Sequence, residues 1–443
     1  MTDEVRRSPS PSEVGFHLAR RDVLKGAAAV GGLAAAGGLL AACGSDSESV
    51  DASSVSGTVR VGSNYSDPRP NEALRAALDT FPNTDLTIEL NEVDHNTYQE
   101  QINAYMQDPP DDVAPWFAAF RLGSLAKQDF LLDISDLWTD GLDDVLSGGM
   151  KGASTYEGSQ YFVPWTYYSW QVHFRKSVFE ENGWSAPGTW EEMLALCEDI
   201  QGAGIVPFAL GNDGRWPAMG TFDQINFRLN GFQYHADLLA GNESWTDDRT
   251  KAVFEAWSEI LPYHQPDPNG REWNDAGQAL VKGEAAMYVI GGFVGSEFPE
   301  GSGPGEFDDL DFFPYPVLND EHGQETVEAP IDGWVGVANP DNEAGAKAVL
   351  QHLGSAIAQD AYKAIDASVQ VPNINADTGS YNALQQKSIE AINGATHVTQ
   401  FLDRDTVPAF ANEAGQAIAD FLAGGDIDAI LTDLQGKAET LLG

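Results

Sequence analysis

"YFVPWTYYSWQVHFRKSVFEENGWSAPGTWEEMLALCEDIQGAGIVPFALG" runs from Tyr161 to Gly211, and its reading settles the class of fold. Its middle has a helical period. Met193, Leu196, Cys197 and Ile200 fall at i, i+3, i+4 and i+7, the buried stripe of a helix. Thr189 and Glu192 have the spacing of a capping box, and Gly202 with Gly204 end the run. "GIVPFAL" (204–210) then reads as a short, nearly all-apolar strand, as expected where both sheet faces are covered. The first fourteen residues hold seven aromatic rings and a histidine.

The same alternation extends outward. "TVRVGS" (58–63) and "DLTIEL" (85–90) read as strands, with helices through "NEALRAALDTF" (71–81) and "NTYQEQINAYMQ" (96–107). "AAMYVI" (285–290) is another buried strand. "DRTKAVFEAWSEILP" (248–262) and "DNEAGAKAVLQHLGSAIAQDAYKA" (341–364) are amphipathic helices. The last segment reads as two helices broken at Gly424–Gly425. Strand alternating with helix implies an α/β protein with largely parallel sheets. The chain has 443 residues, more than one hydrophobic core usually serves, so two domains are expected.

Near the N-terminus, "ARRDVLKGAAAVGGLAAAGGLLAACGS" (19–45) is too short and too rich in glycine for a spanning helix. Arg20 and Arg21 in "RRDVLK" resemble a twin-arginine export signal, although Ala19 stands where a polar residue is usual. "LAAC" (40–43) resembles a lipobox, which implies lipidation of Cys43. Residues 1–42 are thus expected to be a signal peptide, and the Ser/Asp-rich 43–57 a flexible tether. Cys197 then stands alone in the mature chain, a buried structural thiol.

Net charge is −44, from 24 Lys and Arg against 68 Asp and Glu. Such a balance argues against nucleic acid and anionic lipid as partners, and it suggests adaptation to high salt. Catalytic signatures are missing: there is no HExxH, CxxC, P-loop or GxSxG motif. "GSGPGE" (301–306) lacks dinucleotide spacing, and "NDEHGQ" (319–324) lacks the ligand pattern of a calcium loop. No cofactor, metal or enzymatic activity is expected. Aromatic residues are the informative ones. Besides the opening stretch, "APWFAAFR" (114–121), "NDGRWPAMGTFDQ" (212–224), "GGFVGSEF" (291–298) and "IDGWVG" (331–336) set rings beside Gly, Asp or Arg near strand ends. Ligands of α/β proteins bind there. Aromatic faces suit the C–H faces of a sugar, and Asp, Asn and Arg suit its hydroxyls.

Three stretches carry a family resemblance. They are "PPDDVAPWFAAFRLGSLAKQDFLLDIS" (109–135), the opening quotation, and "ALVKGEAAMYVIGGF" (279–293). In order and spacing they resemble the extracellular solute-binding lipoproteins of carbohydrate ABC importers, of the maltose and multiple-sugar type. Departures are His173-Phe174-Arg175, where the family usually ends a strand in "yN", and Phe293, where tryptophan is common.

The resemblance implies a two-lobed periplasmic-binding-protein fold of type II, each lobe a mostly parallel sheet flanked by helices. The discontinuous lobes would hold 58–164 with 333–371, and 165–332 with 372–443, joined by hinge crossings near Trp165, Asp332 and Val371. Carried over residue by residue, it implies ligand contacts from Asn64, Asp94, His95, Trp116, Arg121, Trp165, Tyr167, Tyr168, Trp216, Phe293, Asp332, Trp334 and Phe410. The implied partners are a sugar or oligosaccharide, an ABC permease with its cytoplasmic ATPase, and the membrane through Cys43. The protein is expected to be a monomer on the extracytoplasmic face. A binder of a polyol, glycerol phosphate or peptide, or a surface glycosidase, are the alternatives.

Overall fold

A computed structural model describes residues 54–146, 149–298 and 308–442. Arg20, Arg21, Cys43 and "GSGPGE" lie outside the described residues. In chain order the strands are β1 (Gly57–Ser63), β2 (Leu86–Glu92), β3 (Val113–Phe117), β4 (Thr155–Tyr156), β5 (Ser159–Gln160), β6 (Val163–Tyr167) and β7 (Trp170–Arg175). After them come β8 (Val206–Ala209), β9 (Ala285–Gly291), β10 (Leu310–Phe313), β11 (Thr326–Glu328), β12 (Ile331–Gly336) and β13 (His397–Thr399).

Two sheets form the lobes. The first has the order β2-β1-β3-β12-β6 and the second β10-β7-β9-β8; β4 with β5 and β11 with β13 form two-stranded ribbons. In the first sheet β12 pairs antiparallel with both neighbours, so β1, β2, β3 and β6 share one direction. In the second, β7 is antiparallel to both neighbours, and β8, β9 and β10 share a direction. The sheets are therefore mostly parallel in sense, each with one reversed strand. The reversal has a cause in the chain path. Only Tyr168 and Ser169 separate β6 of the first sheet from β7 of the second, so β7 starts at the junction and runs away from it. Likewise β12 begins two residues after β11, which packs near the second lobe's longest helix. The ends of the like-directed strands and the starts of the reversed ones consequently face a common cleft.

Local structure follows the sequence in most places. Thr189 and Glu192 form the capping box, and Met193, Leu196, Cys197 and Ile200 are buried on the helix Trp190–Gly202. A cap of this kind is worth about 1 kcal/mol. Burial pushes the Cys197 thiol up to about 12, so it is not a ready nucleophile. Residues 341–364 form two helices, Glu343–Leu353 and Ala356–Lys363, because Gly354 and Ser355 interrupt the run. The tether boundary needs correction: Val55 is buried, and Ser56 O accepts from Asn342 Nδ2 at 3.0 Å.

One long helix, Trp216–Leu239, gave no periodic signal. It is buried on nearly every side, so its apolar positions form no stripe. Its kink is at Gly231, where φ is +78° and a Cβ would sit 2.5 Å from His322 Nδ1.

Candidate functional site

Strand ends from both sheets surround a cavity of about 100 Å³. From the first lobe come Asn64 just after β1, Trp116 and Phe117 at the end of β3, Thr166 on β6 and Asp332 on β12. The second lobe supplies Trp170 at the start of β7, Phe293 just after β9, and Trp216 and Trp273, each opening a helix. Tyr168 on the crossing and Phe401 and Arg404 beyond β13 complete the wall.

Phe293 is the hub of the aromatic side. Its ring centre lies 5.0 Å from Tyr168, 6.0 Å from Trp170, 5.9 Å from Trp216 and 5.0 Å from Trp273. Trp170 stacks on Phe401 at 5.1 Å. Such ring pairs contribute about 0.5–1.5 kcal/mol each beyond area burial. The aromatic walls are thus held in place by one another and need no ligand to order them.

Arg404 dominates the polar side. Its guanidinium lies 3.8 Å from the Phe117 ring centre and 4.9 Å from that of Phe401. Nη1 is 2.8 Å from Asp332 Oδ1, and Nη2 is 3.5 Å from the Tyr168 hydroxyl. Burial opposes the charge, but Asp332, Tyr168 and Asp403 outweigh it and hold the guanidinium protonated. The Asp332 contact is an ion pair without hydrogen-bond alignment, so Nε, Nη1 and Asp332 Oδ1 are buried with no hydrogen-bond partner. Leaving a buried donor such as Nε unmet costs about 1–3 kcal/mol, which a ligand hydroxyl would recover. Trp170 Nε1 is likewise without a partner.

Asn64 Nδ2 lies 3.2 Å from His95 Nδ1, and Gln99 Nε2 lies 2.7 Å from His95 Nε2. Burial first, and then the Arg404 charge, hold the His95 imidazole below its ordinary value, so it is neutral near pH 7. Asp366 is buried, which raises its carboxyl against hydrogen bonds from Ser368.

Of the residues singled out from sequence, Asn64, His95, Trp116, Tyr168, Trp216, Phe293 and Asp332 line this cavity. The other six do not. Asp94 caps the helix His95–Gln107, accepting from Thr97 N at 2.9 Å. Arg121 is turned to Asp403, its Nε 2.6 Å from the carbonyl and Nη2 2.5 Å from Oδ1. Tyr167 points away from the face that Thr166 and Tyr168 give to the cavity, and Trp165 is the extra residue where the β6–β12 pairing slips. Trp165 packs on Tyr362 at 5.1 Å instead, and Tyr167 packs against the apolar cluster around Val327 and Val398.

Trp334 keeps the face of Asp332 but lies two residues further along β12 from the cleft end, against Tyr65 at 6.3 Å and Trp165 at 6.2 Å. Between Asp332 and Gly333 the pairing slips, so Asp332 opposes Thr166 but Trp334 opposes Val163. Gly333 permits the close approach, since a Cβ there would lie 2.2 Å from Val163 O. Phe410 is fully buried, 5.4 Å from Trp245 in the second lobe's core. Sequence reasoning missed Arg404, Trp170, Trp273, Phe401 and Asp366. Trp170 had a signal, as a ring at the start of β7 within the aromatic stretch; Arg404 in "FLDRDT" (401–406) had none. Among the described residues, no cluster of three or more His, Cys, Asp and Glu is arranged to hold a metal ion.

The comparisons with known proteins agree with this architecture. The family described as bacterial extracellular solute-binding protein matches residues 66–360. An ABC transporter extracellular-binding protein of Pyrococcus horikoshii is 24% identical over 331 residues, 73% of each chain. The alpha-glucosides-binding periplasmic protein AglE of Rhizobium meliloti is 24% identical over 364 residues, 76% of this chain and 78% of its own. The solved bacterial solute receptor AcbH superposes with a TM-score of 0.82 at 35% identity, covering 87% of this chain and 99% of its own. Two lobes, a cleft at the strand ends and a family match over most of the described residues lead to one conclusion: the chain belongs to the bacterial extracellular solute-binding proteins.

Proposed function

We propose that this chain is the substrate-binding component of an ABC-type importer and captures a sugar in the interlobe cleft. The observation that carries this is the pairing of preformed aromatic walls with unmet donors on Arg404. A ring with apolar faces and an equator of hydroxyls matches both. AcbH is described as having an exclusive preference for β-D-galactopyranose, and AglE as binding alpha-glucosides, which supports a carbohydrate. Asn64, His95, Trp116, Tyr168, Trp216, Phe293, Asp332 and Arg404 are the proposed contacts.

The lobes close about three crossings, expected near Trp165, Asp332 and Val371; because β6 and β12 lie wholly in the first sheet, the first two boundaries move from 164/165 to Tyr168–Ser169 and from 332/333 to Ala329–Pro330. Ligand that touches both lobes favours the closed form, because open lobes satisfy only part of its contacts. The closed protein then docks on a permease driven by a cytoplasmic ATPase. Arg20 and Arg21 direct export, and Cys43 carries a lipid that holds a monomer at the extracytoplasmic face of the membrane. Acidic charge serves solubility in high salt, so melting temperature rises from low to molar NaCl.

The test is a thermal-shift screen over sugars, polyols, amino acids and metal ions, followed by calorimetry on the hits. Sugars alone are expected to raise the melting temperature, with stoichiometric heat and no product. A shift with polyols or amino acids and none with sugars overturns the reading.

A further inference from the structure

The cavity's size and closure say more about the solute than its chemistry alone. An engineered cavity of ~150 Å³ holds one benzene ring. At about 100 Å³, this cavity is smaller than that and leaves no space for a second ring. Its mouth is bridged across the lobes. Asn274 Nδ2 donates to Asp67 Oδ1 at 3.4 Å, and Arg69 Nη2 donates to Phe298 O at 2.7 Å. Nearby, Asn96 Nδ2 donates to Glu272 Oε2 at 3.4 Å and Asn96 Oδ1 accepts from Trp216 Nε1 at 3.3 Å. Towards the hinge, Tyr168 and Val369 close the wall.

A longer glycan would have to leave through the mouth and break these bonds. The charge inside is also one-sided. Asp67, Asp332 and Asp366 line the cavity against the guanidinium of Arg404, whose charge Asp332 balances while its unused donors remain.

We propose that the site takes a single uncharged pyranose, a free monosaccharide, and rejects both oligosaccharides and sugar acids. This rests on the sugar reading above and narrows it. Only a small neutral ring fits inside with the lobes closed, where it reaches the Arg404 donors and the Phe293 and Trp216 faces together. An oligosaccharide that holds the lobes apart loses two or more of the bridging bonds, worth roughly 30-fold in affinity.

The experiment is titration calorimetry of the purified protein with aldohexoses and aldopentoses, then with di- and trisaccharides built from the best of them and with its uronic acid. The expected result is a monosaccharide bound at least ~30-fold more tightly than its oligomers and its uronate. Equal or tighter binding of a di- or trisaccharide overturns the inference and leaves the sugar reading standing. Comparable binding of the uronate overturns its charge half. If no carbohydrate binds while another solute does, both fall. An Asn274→Ala, Arg69→Ala double variant, which removes no residue that lines the cavity or bonds one of the proposed contacts, is expected to narrow the discrimination between one ring and two; unchanged discrimination contradicts closure as its source.

Discussion

Two buried arginine–aspartate pairs sit near one another and do opposite things. Arg121 meets both the carbonyl and the carboxylate of Asp403 and also faces the Trp116 ring at 5.8 Å. Arg404, the next residue along from Asp403, meets Asp332 without hydrogen-bond alignment and keeps Nε and Nη1 unsatisfied at the cavity. The first pair uses its hydrogen-bonding directions inside the protein and ties the helix Phe120–Ala126 to the segment beyond β13. The second is held in place by two aromatic faces and has donors to offer. Charge and burial are alike in the two, so neither property identifies a recognition residue. What distinguishes them is the unused donor capacity.

Substitutions separate the two roles. Arg121→Ala leaves the Asp403 carboxylate buried and unpaired, which should lower stability by about 3–5 kcal/mol in denaturant titration. Sugar affinity of the protein that remains folded should change little, and a large affinity loss there would break the distinction. Arg404→Lys keeps the charge but loses the planar fork, so affinity should fall by about 2–4 kcal/mol in calorimetry. Unaltered affinity would place recognition elsewhere. Trp216→Ala removes an aromatic face and should weaken binding by about 1–3 kcal/mol.

The smallest effect is on His95. Burial and then the Arg404 charge are the leading causes that depress its imidazole in the folded protein. Removing a positive neighbour favours the protonated ring. Arg404→Gln should therefore raise the His95 titration midpoint toward its ordinary 6.5, and Arg121→Gln should leave it in place, as followed by NMR of the ring protons. A depressed imidazole also makes folding less favourable as pH falls below that ordinary value, and this loss should be smaller in Arg404→Gln.

The sequence made the lobes legible and the cavity only in part. Periodicity found the helices with a single apolar stripe, such as Trp190–Gly202, and missed Trp216–Leu239, which is covered all round. Resemblance brought Trp116, Trp216, Phe293 and Asp332 to the cleft, because a strand end or a helix start is a local feature. Tyr167 lies one residue out of phase with the cavity face, Trp165 sits at a register slip, and Trp334 lies two residues deeper along β12 than Asp332. Parity of this kind depends on which strand is the neighbour, and no local pattern records it. Arg404 reaches the cavity from 72 residues beyond Asp332, through a ribbon pairing of β11 with β13 that neither segment signals alone.

The most direct test is a crystal structure of the complex with the tightest-binding monosaccharide. One ring should lie against Phe293 and Trp216, with a hydroxyl about 3 Å from Arg404 Nε or Nη1 and the Arg121–Asp403 pair unchanged. A sugar bound elsewhere, or bound in the cleft with Arg404 turned wholly to Asp332 and Arg121 released to the ligand, would contradict the account.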